Sequence, residues 1–291
     1  MRLTTVSVTG PQQRITLLQA LGAWFDGDRA IFPRDAVYPE GTTDEEARRQ
    51  SSVQMVSSQD TAVAVALQEL GYELDPVIEV FDVAGGGAAD GVLQVRDQIL
   101  SVGGQEITDS ASVSAAVQEA GVGGRTEVVV RRDGERRSFM LSPRPSADDP
   151  DVAVLGIVIG PGYDFPFDVS VRIDENIGGP SAGLIFALAV YDTLTPDSLT
   201  GGKDIAGTGT VDVDGNVGPI GGIQQKIVAS EAAGAELFLV PPANCAAALG
   251  APGANTDIRL VRAETMSAAV EALETWRDDP DADLPSCEDA A

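Results

Sequence analysis

Residues 178–183 read Gly-Gly-Pro-Ser-Ala-Gly and lie at the junction between a predicted strand and an apolar helix, which we expect from Ser181 to about Leu194. Glycines allow the backbone to turn tightly, and the first turn of a helix leaves N–H groups without intrahelical acceptors. Ser181 is therefore either a helix cap or a nucleophile whose oxyanion these amides would stabilise. Taken alone, the motif favours the cap. The loop residues of the candidate oxyanion site are Gly179, Pro180 and Ala182.

The choice of basic residues indicates a second candidate catalytic residue, a lysine. The chain contains no histidine, which excludes Ser-His-Asp and Cys-His catalysis and His-based zinc sites. Only Lys203 and Lys226 are lysines, and lysine, unlike arginine, can lose its proton when desolvated. Lys226 lies between the apolar Ile223 and Ile227 on a helix predicted from about Gly222 to Ala233, so burial would lower its pKa and let it act as a base. The alternative for Lys226 is a solvent-facing helix lysine, and Lys203 is interpreted as structural or substrate-facing.

Several motifs in this order resemble the proteolytic domain of Lon proteases, which are Ser-Lys peptidases. The resemblance runs from about residue 150 to 275 and is carried by Gly179-Pro-Ser-Ala-Gly183, Ala206-Gly-Thr-Gly-Thr210, Gly215-Asn-Val-Gly-Pro-Ile-Gly-Gly222 and Lys226. It implies that Ser181 is the nucleophile, Lys226 the general base and Thr208 the residue that orients the lysine. It also implies that a strand near 169–173, ending at Ile173 and Asp174, forms a wall where an extended substrate pairs.

Two departures from the Lon pattern affect mechanism. Lon enzymes often carry an acidic residue three positions before the serine, where this chain has Gly178, so Asp174 or Glu175 would have to substitute. The ATPase module is missing too, because no GxxxxGK[ST] phosphate loop occurs in the sequence. We therefore expect an ATP-independent enzyme that needs no cofactor and no metal, and whose polypeptide substrates are flexible or already unfolded.

Residues 73–145 have a different sequence pattern, in which short predicted β-strands are separated by glycines. A strand over 77–83, a helix over about 110–120 and a hairpin across Asp133-Gly134 follow in an order that resembles a PDZ domain. The resemblance implies a peptide ligand bound by strand addition. No clear Gly-hydrophobic-Gly-hydrophobic loop is found, so the mode of peptide binding is open, and a spacer or regulatory β-domain is the alternative.

The predicted fold class is therefore α/β (α+β), with three regions. Residues 1–72 form an N-terminal segment that packs on the protease domain, residues 73–145 the PDZ-like domain, and residues 146–291 the Lon-type domain with an acidic tail. The N-terminal segment is predicted to contain a strand over Leu3–Thr9 and helices over Ile15–Phe25 and Asp44–Leu70. In the Lon-type region, residues 146–151 are a polar linker followed by a strand near 154–159.

Charge and apolar runs limit the partners and the location. A net charge of -26 argues against nucleic acid and anionic lipid. No run reaches the roughly 20 apolar residues of a membrane span, and no signal peptide opens the sequence. The arrangement of N-terminal segment, PDZ-like module and Lon-type domain resembles bacterial PDZ–Lon-like proteases of the YlbL type. That resemblance implies a location on the extracytoplasmic side of the cell membrane, through an N-terminal anchor absent from this sequence. The resemblance to Lon-type domains implies a homo-oligomer, with a monomer as the alternative.

Cysteine use gives one structural expectation. Cys287 lies in an acidic, proline-containing tail, and a disulfide to Cys245 would hold that tail down in an oxidising compartment. The alternative is two unrelated thiols.

The sequence is compatible with three functions. The first is an ATP-independent Ser-Lys endopeptidase, the second a non-catalytic peptide-binding scaffold, and the third an amidase or esterase with the same dyad. The presence of Ser181, Thr208 and Lys226 together favours the endopeptidase.

Overall fold

The computed structural model describes residues 1–25, 29–167, 169, 171–174, 177–251 and 258–290. Helices and sheets are mixed along the chain, which confirms the predicted fold class. The chain divides into two compact units, Met1–Glu73 with Val169–Ala291 (unit 1) and Leu74–Asp168 (unit 2). Among the described residues, no helix combines the length and the apolar character that a membrane span requires.

The elements are numbered in chain order. The α-helices are α1 Leu17–Trp24, α2 Asp44–Glu69, α3 Ser110–Ala120, α4 Gly183–Leu194, α5 Ile223–Ala232, α6 Cys245–Leu249 and α7 Met266–Asp278. The strands are β1 Arg2–Leu3, β2 Asp75–Val83, β3 Gln98–Val102, β4 Gln105–Glu106, β5 Thr126–Arg132, β6 Glu135–Leu141, β7 Arg144–Pro145, β8 Ala153–Val154, β9 Ile157–Asp164, β10 Ile205–Gly207, β11 Thr210–Val211, β12 Val217–Gly218, β13 Leu237–Val240 and β14 Arg259–Arg262.

Unit 1 is built on a parallel sheet in the order β1-β10-β13-β14. All four residues of β13 are buried, which is typical of a central parallel strand with both faces covered. Helix α2 begins at a capping box of Thr43 and Glu46 and buries most of its second half. It packs against α4, the helix that follows Ser181.

The N-terminal strand is shorter than predicted. Strand β1 covers only Arg2–Leu3, pairing with Ala206 and Gly207 in β10, whereas the sequence predicts a strand from Leu3 to Thr9. The reason is that β10 ends at Gly207, so the residues after Leu3 have no strand beside them to extend the pairing. This short strand nevertheless brings the N-terminal residues to the edge of the parallel sheet, beside β10.

Unit 2 is an antiparallel sheet in the order β6-β5-β3-β2-β9, with β4 paired to β3. The β5–β6 hairpin turns at Asp133 and Gly134, which both have positive φ as a tight two-residue hairpin requires. Helix α3 contributes Val113, Ala116 and Val117 to an apolar core formed with the sheet. This hairpin and helix are confirmed as predicted.

The boundary between the regions differs from the sequence expectation. We expected residues 146–291 to form one domain, with a strand near 154–159 inside it. Instead β8 pairs with β7, and β9 pairs with β2 along its whole length, so the chain as far as Asp168 belongs to unit 2. The partner of an apolar strand is a tertiary property, which is why the sequence does not reveal it.

The acidic tail is held against unit 1. Cys245 and Cys287 form a disulfide with an S–S distance of 2.05 Å, and both residues are buried. The Arg259 guanidinium donates to the carbonyls of Pro280 and Ala282, at 3.2 and 2.5 Å. The tail therefore lies along the edge strand β14.

Candidate active site

Ser181 lies in the turn of residues 178–183, called the nucleophile turn below. Helix α4 starts at Gly183 with Ala182 as its N-cap, and no side chain caps it, so the structure does not support the capping interpretation of Ser181. The Gly183 N–H donates to the Pro180 carbonyl at 3.3 Å, and the Gly209 N–H donates to the Ser181 carbonyl at 2.9 Å. These bonds fix the serine backbone and leave its hydroxyl group available for other contacts.

Lys226 reaches the Ser181 hydroxyl from α5. Its Nζ lies 3.0 Å from Ser181 Oγ, 3.0 Å from Thr208 Oγ1 and 3.0 Å from the carbonyl oxygen of Thr4. Only 1% of the lysine surface is exposed, because Ile223 and Ile227 on the same helix are buried in the core beside it. Lys226 is thus not the solvent-facing lysine of the alternative interpretation.

The environment of Lys226 weakens its hold on a proton. Burial lowers the pKa of the lysine from its ordinary value of 10.5 to about 8, because the three oxygens around Nζ carry no net charge that would compensate for lost hydration. A substantial fraction of the amine is therefore neutral near pH 8. That is the state in which lysine can accept a proton.

Thr208 contacts both the Lys226 side chain and the main chain of Ser181. Its hydroxyl donates to the Ser181 carbonyl at 2.8 Å and accepts from Lys226 Nζ at 3.0 Å. Its own N–H donates to the Leu239 carbonyl at 3.2 Å, which ties it to the central strand β13. Thr208 is 1% exposed, so its hydroxyl orientation is fixed by these partners.

The contact with Thr4 is one that sequence reasoning missed. Thr4 follows β1 and lies 222 positions from Lys226 in the chain. Its hydroxyl donates to the Gly207 carbonyl at 3.3 Å, which holds the Thr4 peptide beside the lysine. A main-chain carbonyl gives no sequence signal, and only the parallel pairing of β1 with β10 brings it here.

Helix α2 supports the nucleophile turn from behind, which sequence reasoning also missed. The Gly179 N–H donates to the Ser51 carbonyl at 2.9 Å, and the Ser58 hydroxyl donates to the Pro180 carbonyl at 3.2 Å. A Cβ added at Gly178 would lie 2.3 Å from Ser51 Oγ. The position where Lon enzymes often carry an acid therefore faces a serine of α2 and has no space for a longer side chain.

The predicted oxyanion loop needs correction. Gly179 cannot serve as a donor while its N–H is bonded to Ser51, and Pro180 has no N–H to offer. Among the described residues, the amides of Ser181 and Ala182 have no acceptor, so of the three predicted loop residues only Ala182 can donate. Ser181's own amide is the second candidate donor.

The predicted substrate strand is not found in the part of the chain that the structure describes. Val169 and residues 171–174 have no strand conformation, while Ser170 lies outside the described residues. Instead the Ile177 N–H donates to the Asp174 carbonyl at 2.9 Å, and Asp174 is exposed. A strand needs a neighbour for its backbone groups, and no described strand pairs with this segment. Glu175, the other candidate acid, also lies outside the described residues.

A second turn precedes the lysine. In this turn, residues 218–222 and called the lysine turn below, the Ile220 N–H donates to Asn244 Oδ1 at 2.9 Å and the Ile220 carbonyl accepts from Asn244 Nδ2 at 3.0 Å. Gly222 then takes a φ of 72° and caps α5 without a side-chain bond. The other lysine has a structural environment, since Lys203 Nζ lies 4.2 Å from the ring centre of Trp276 and donates to its carbonyl.

Two regions of the chain match the models of known protein families. Residues 175–273 match the family model of the Lon protease (S16) C-terminal proteolytic domain. Residues 52–142 match the PDZ domain model, whose first residues fall within α2. The chain combines a Lon-type proteolytic domain with a PDZ domain. The Lon-type match supports a serine peptidase.

Curated relatives agree with this assignment. Lon protease of Clostridioides difficile is 31% identical over 155 residues, which are 51% of this chain and 19% of that protein. Lon protease 1 of Thermus thermophilus is 34% identical over 88 residues, 29% of this chain and 11% of that protein. The chain thus spans only about a tenth to a fifth of the length of these relatives. The PDZ domain of the SdrC-like protein from Listeria innocua is 17% identical with a TM-score of 0.27, covering 28% of this chain and 92% of that chain.

Proposed function

We propose that this protein is a Ser-Lys endopeptidase that cleaves flexible or unfolded polypeptides without ATP. The observation that carries the proposal is the 3.0 Å contact between Lys226 Nζ and Ser181 Oγ, made by a lysine that is 1% exposed. A hydroxyl nucleophile beside a desolvated amine is the lysine form of the nucleophile-and-base pair.

The three contacts of Lys226 define the direction of proton transfer. A neutral amine has two N–H bonds and one lone pair. The Thr4 carbonyl can only accept, and the Thr208 hydroxyl already donates to Ser181, so both take an N–H from the lysine. The lone pair then faces the Ser181 hydroxyl, which is the arrangement a general base needs.

Catalysis would follow from this arrangement. Ser181 Oγ attacks the substrate carbonyl while its proton moves to Lys226 Nζ, and the amides of Ser181 and Ala182 stabilise the oxyanion. The lysine ammonium then gives that proton to the leaving amine, which produces an acyl-enzyme on Ser181. Water, deprotonated by the neutral lysine, hydrolyses the ester and restores the serine. In this scheme Thr208 and the Thr4 carbonyl orient the base.

We further propose that unit 2, called the PDZ unit below because it holds most of the PDZ match, binds a peptide at one edge of its sheet. Strand β9 is the last strand in its sheet, so one of its edges has no neighbouring strand within the described residues. An extended peptide can add to such an edge through main-chain hydrogen bonds. Pro161 lies within β9 and has no N–H, and proline in a strand normally faces the open edge. We therefore propose that the added peptide pairs with residues 157–160.

The proposed location rests on the disulfide bond. Disulfides persist in oxidising compartments, and the Cys245–Cys287 bond supports a protein on the extracytoplasmic side of the cell membrane. This location and homo-oligomer formation remain part of the proposal.

The test measures cleavage of unfolded casein without ATP by two dyad variants and one control variant. Ser181→Ala removes the nucleophile, and Lys226→Arg replaces the base with a side chain that stays protonated. Each variant should lose about 1,000-fold or more of the cleavage rate. Lys203→Arg is the matched control, because it makes the same exchange at the chain's other lysine and keeps the cation over Trp276. It should cleave at the wild-type rate.

The alternatives predict other outcomes. Equal rates in all four proteins would reject the dyad. An inactive wild type that still binds peptide through the PDZ unit would favour the scaffold, the non-catalytic alternative. Rapid hydrolysis of small esters together with intact casein would favour the esterase or amidase. Thermal melts of each variant show whether a lost rate reflects lost folding.

A further inference from the structure

The Pro180–Ser181 peptide has one end at helix α2 and the other at the nucleophile. The Ser58 hydroxyl donates to the Pro180 carbonyl at 3.2 Å, and the Gly183 N–H donates to the same oxygen at 3.3 Å. Ser58 is 8% exposed. Ser58 is thus a buried side chain that donates a hydrogen bond to the residue before the candidate nucleophile.

Peptide geometry transmits this contact to the oxyanion donor. A peptide unit is planar, and in the trans form its C=O and N–H point in opposite directions. No cis peptide occurs among the described residues. Because Ser58 holds the Pro180 carbonyl towards α2, the Ser181 N–H must point away from α2. That amide has no acceptor among the described residues.

We propose that Ser58 is a positioning residue, which aims the Ser181 amide at the oxyanion by holding the Pro180–Ser181 peptide in place. The inference rests on the proposed peptidase function and adds a residue to it. Ser58 touches neither Lys226 nor the Ser181 hydroxyl in the described structure. Its influence should therefore act on oxyanion stabilisation and leave the base unchanged.

The nearby Gly179 contact supports this assignment. The Gly179 N–H donates to the Ser51 carbonyl, so α2 binds two of the three peptide units that lead from Gly178 to Ser181, namely Gly178–Gly179 and Pro180–Ser181. The Ser51 contact is made by a main-chain group, whereas Ser58 acts through its side chain. Ser58 is consequently the contact that a substitution can remove without changing the path of α2.

The experiment measures casein cleavage by Ser58→Ala, with Ser52→Ala as the matched control. Ser52 is an exposed serine of the same helix, so it loses the same atoms at a site that does not touch the turn. Loss of an oxyanion donor lowers kcat by about 100- to 1,000-fold, and a donor that is only misaligned should lose less. We expect Ser58→Ala to lose about tenfold or more in kcat with KM within about twofold, while Ser52→Ala behaves as wild type.

Two readouts distinguish positioning from a purely structural role. The pH midpoint of activity, near the lysine pKa of about 8, should be unchanged in Ser58→Ala, because the base is untouched. Ser58→Thr keeps the hydroxyl and should regain most of the lost kcat. Ser58→Cys fills the same space with a weaker donor, and its kcat should lie between those of wild type and Ser58→Ala.

Other outcomes would contradict the role of Ser58 or the proposed function itself. A Ser58→Ala enzyme with wild-type kcat, or one whose lower rate comes with a shifted pH midpoint, would overturn the positioning role. If Ser58→Ala fails to fold, Ser58→Cys with wild-type kcat would overturn it instead. Retention of full activity by Ser181→Ala would show that the proposed function itself is wrong, whatever Ser58 does.

Discussion

The nucleophile turn and the lysine turn both use glycines to lead into a helix, yet they are held in different ways. The nucleophile turn is bonded on one side to α2 and on the other to Thr208 and Gly209, and Ser181 remains partly exposed. The lysine turn starts from β12, where Gly218 pairs with Thr210, and its Ile220 is bonded to the Asn244 side chain. Lys226 lies one turn further into α5 and is almost fully buried. A nucleophile has to be reached by substrate, whereas a lysine base has to be kept from water.

The comparison predicts that pH acts through the buried lysine of α5, not through either turn. Below a pKa of about 8 the Lys226 amine is an ammonium ion and has no lone pair to accept a proton. The neutral fraction at pH 6 is about 1% of that at pH 10, so kcat/KM should rise about 100-fold over this range. Initial rates of casein cleavage across pH, with Ser181→Ala as the blank, would measure this rise. A flat or falling profile would contradict the lysine base.

The same titration gives a stability signature. The folded pKa of about 8 lies below the ordinary value of 10.5, so between these values the unfolded chain binds more protons than the folded chain. The free energy of unfolding should therefore rise with pH across this window, relative to a Lys226→Met protein. Urea unfolding of both proteins at several pH values measures the difference. If the free energies of unfolding of the two proteins changed with pH in the same way, the lysine would not be desolvated.

A further prediction compares the free space around one glycine of each turn, Gly178 in the nucleophile turn and Gly221 in the lysine turn. A Cβ at Gly178 would lie 2.3 Å from Ser51 Oγ, whereas a Cβ at Gly221 would meet nothing within 4 Å. Gly178→Asp should lower the free energy of unfolding by about 1–3 kcal/mol, because overpacking displaces α2 or the turn. It should also reduce casein cleavage about tenfold if alignment of Ser181 is as sensitive as other displaced catalytic geometries.

Gly221→Asp is the matched control for this change, and it should stay within about 0.5 kcal/mol of wild type. Combining Gly178→Asp with Ser51→Gly should recover part of both losses, since the glycine removes the side chain that blocks the aspartate. Denaturant melts and cleavage rates measure both effects. Identical behaviour of the two aspartate variants would remove the proposed difference between the turns.

The smallest expected effect on the cleavage rate concerns the bonds between Asn244 and Ile220 in the lysine turn. Asn244→Ala leaves the Ile220 N–H and carbonyl without their partners, and unfolding should become easier by about 1–3 kcal/mol. The cleavage rate should fall only a few-fold, because Lys226 keeps its own three contacts. Asn244→Asp retains the acceptor for Ile220 N–H but loses the donor, so its stability should lie between the other two. A Tm for Asn244→Ala equal to that of wild type would show that these bonds are dispensable.

The sequence was most informative where one residue type had few possible roles. The absence of histidine and the presence of just two lysines directed attention to Lys226, and the structure brings it to Ser181 and Thr208. Regular elements such as α2 and the β5–β6 hairpin could also be predicted, because their caps and turn residues are local signals.

Tertiary structure decided everything that depended on a distant partner. The strand β9 belongs to unit 2 because β2 pairs with it, and Thr4 reaches Lys226 because β1 pairs with β10. The roles of Ser51 and Ser58 arise in the same way, from a helix more than a hundred positions before the turn it supports. The sequence by itself therefore determined which side chains could perform the chemistry. Only the fold decided which backbone groups hold them, because a carbonyl or an amide is present at every position and acquires a role solely through its neighbours.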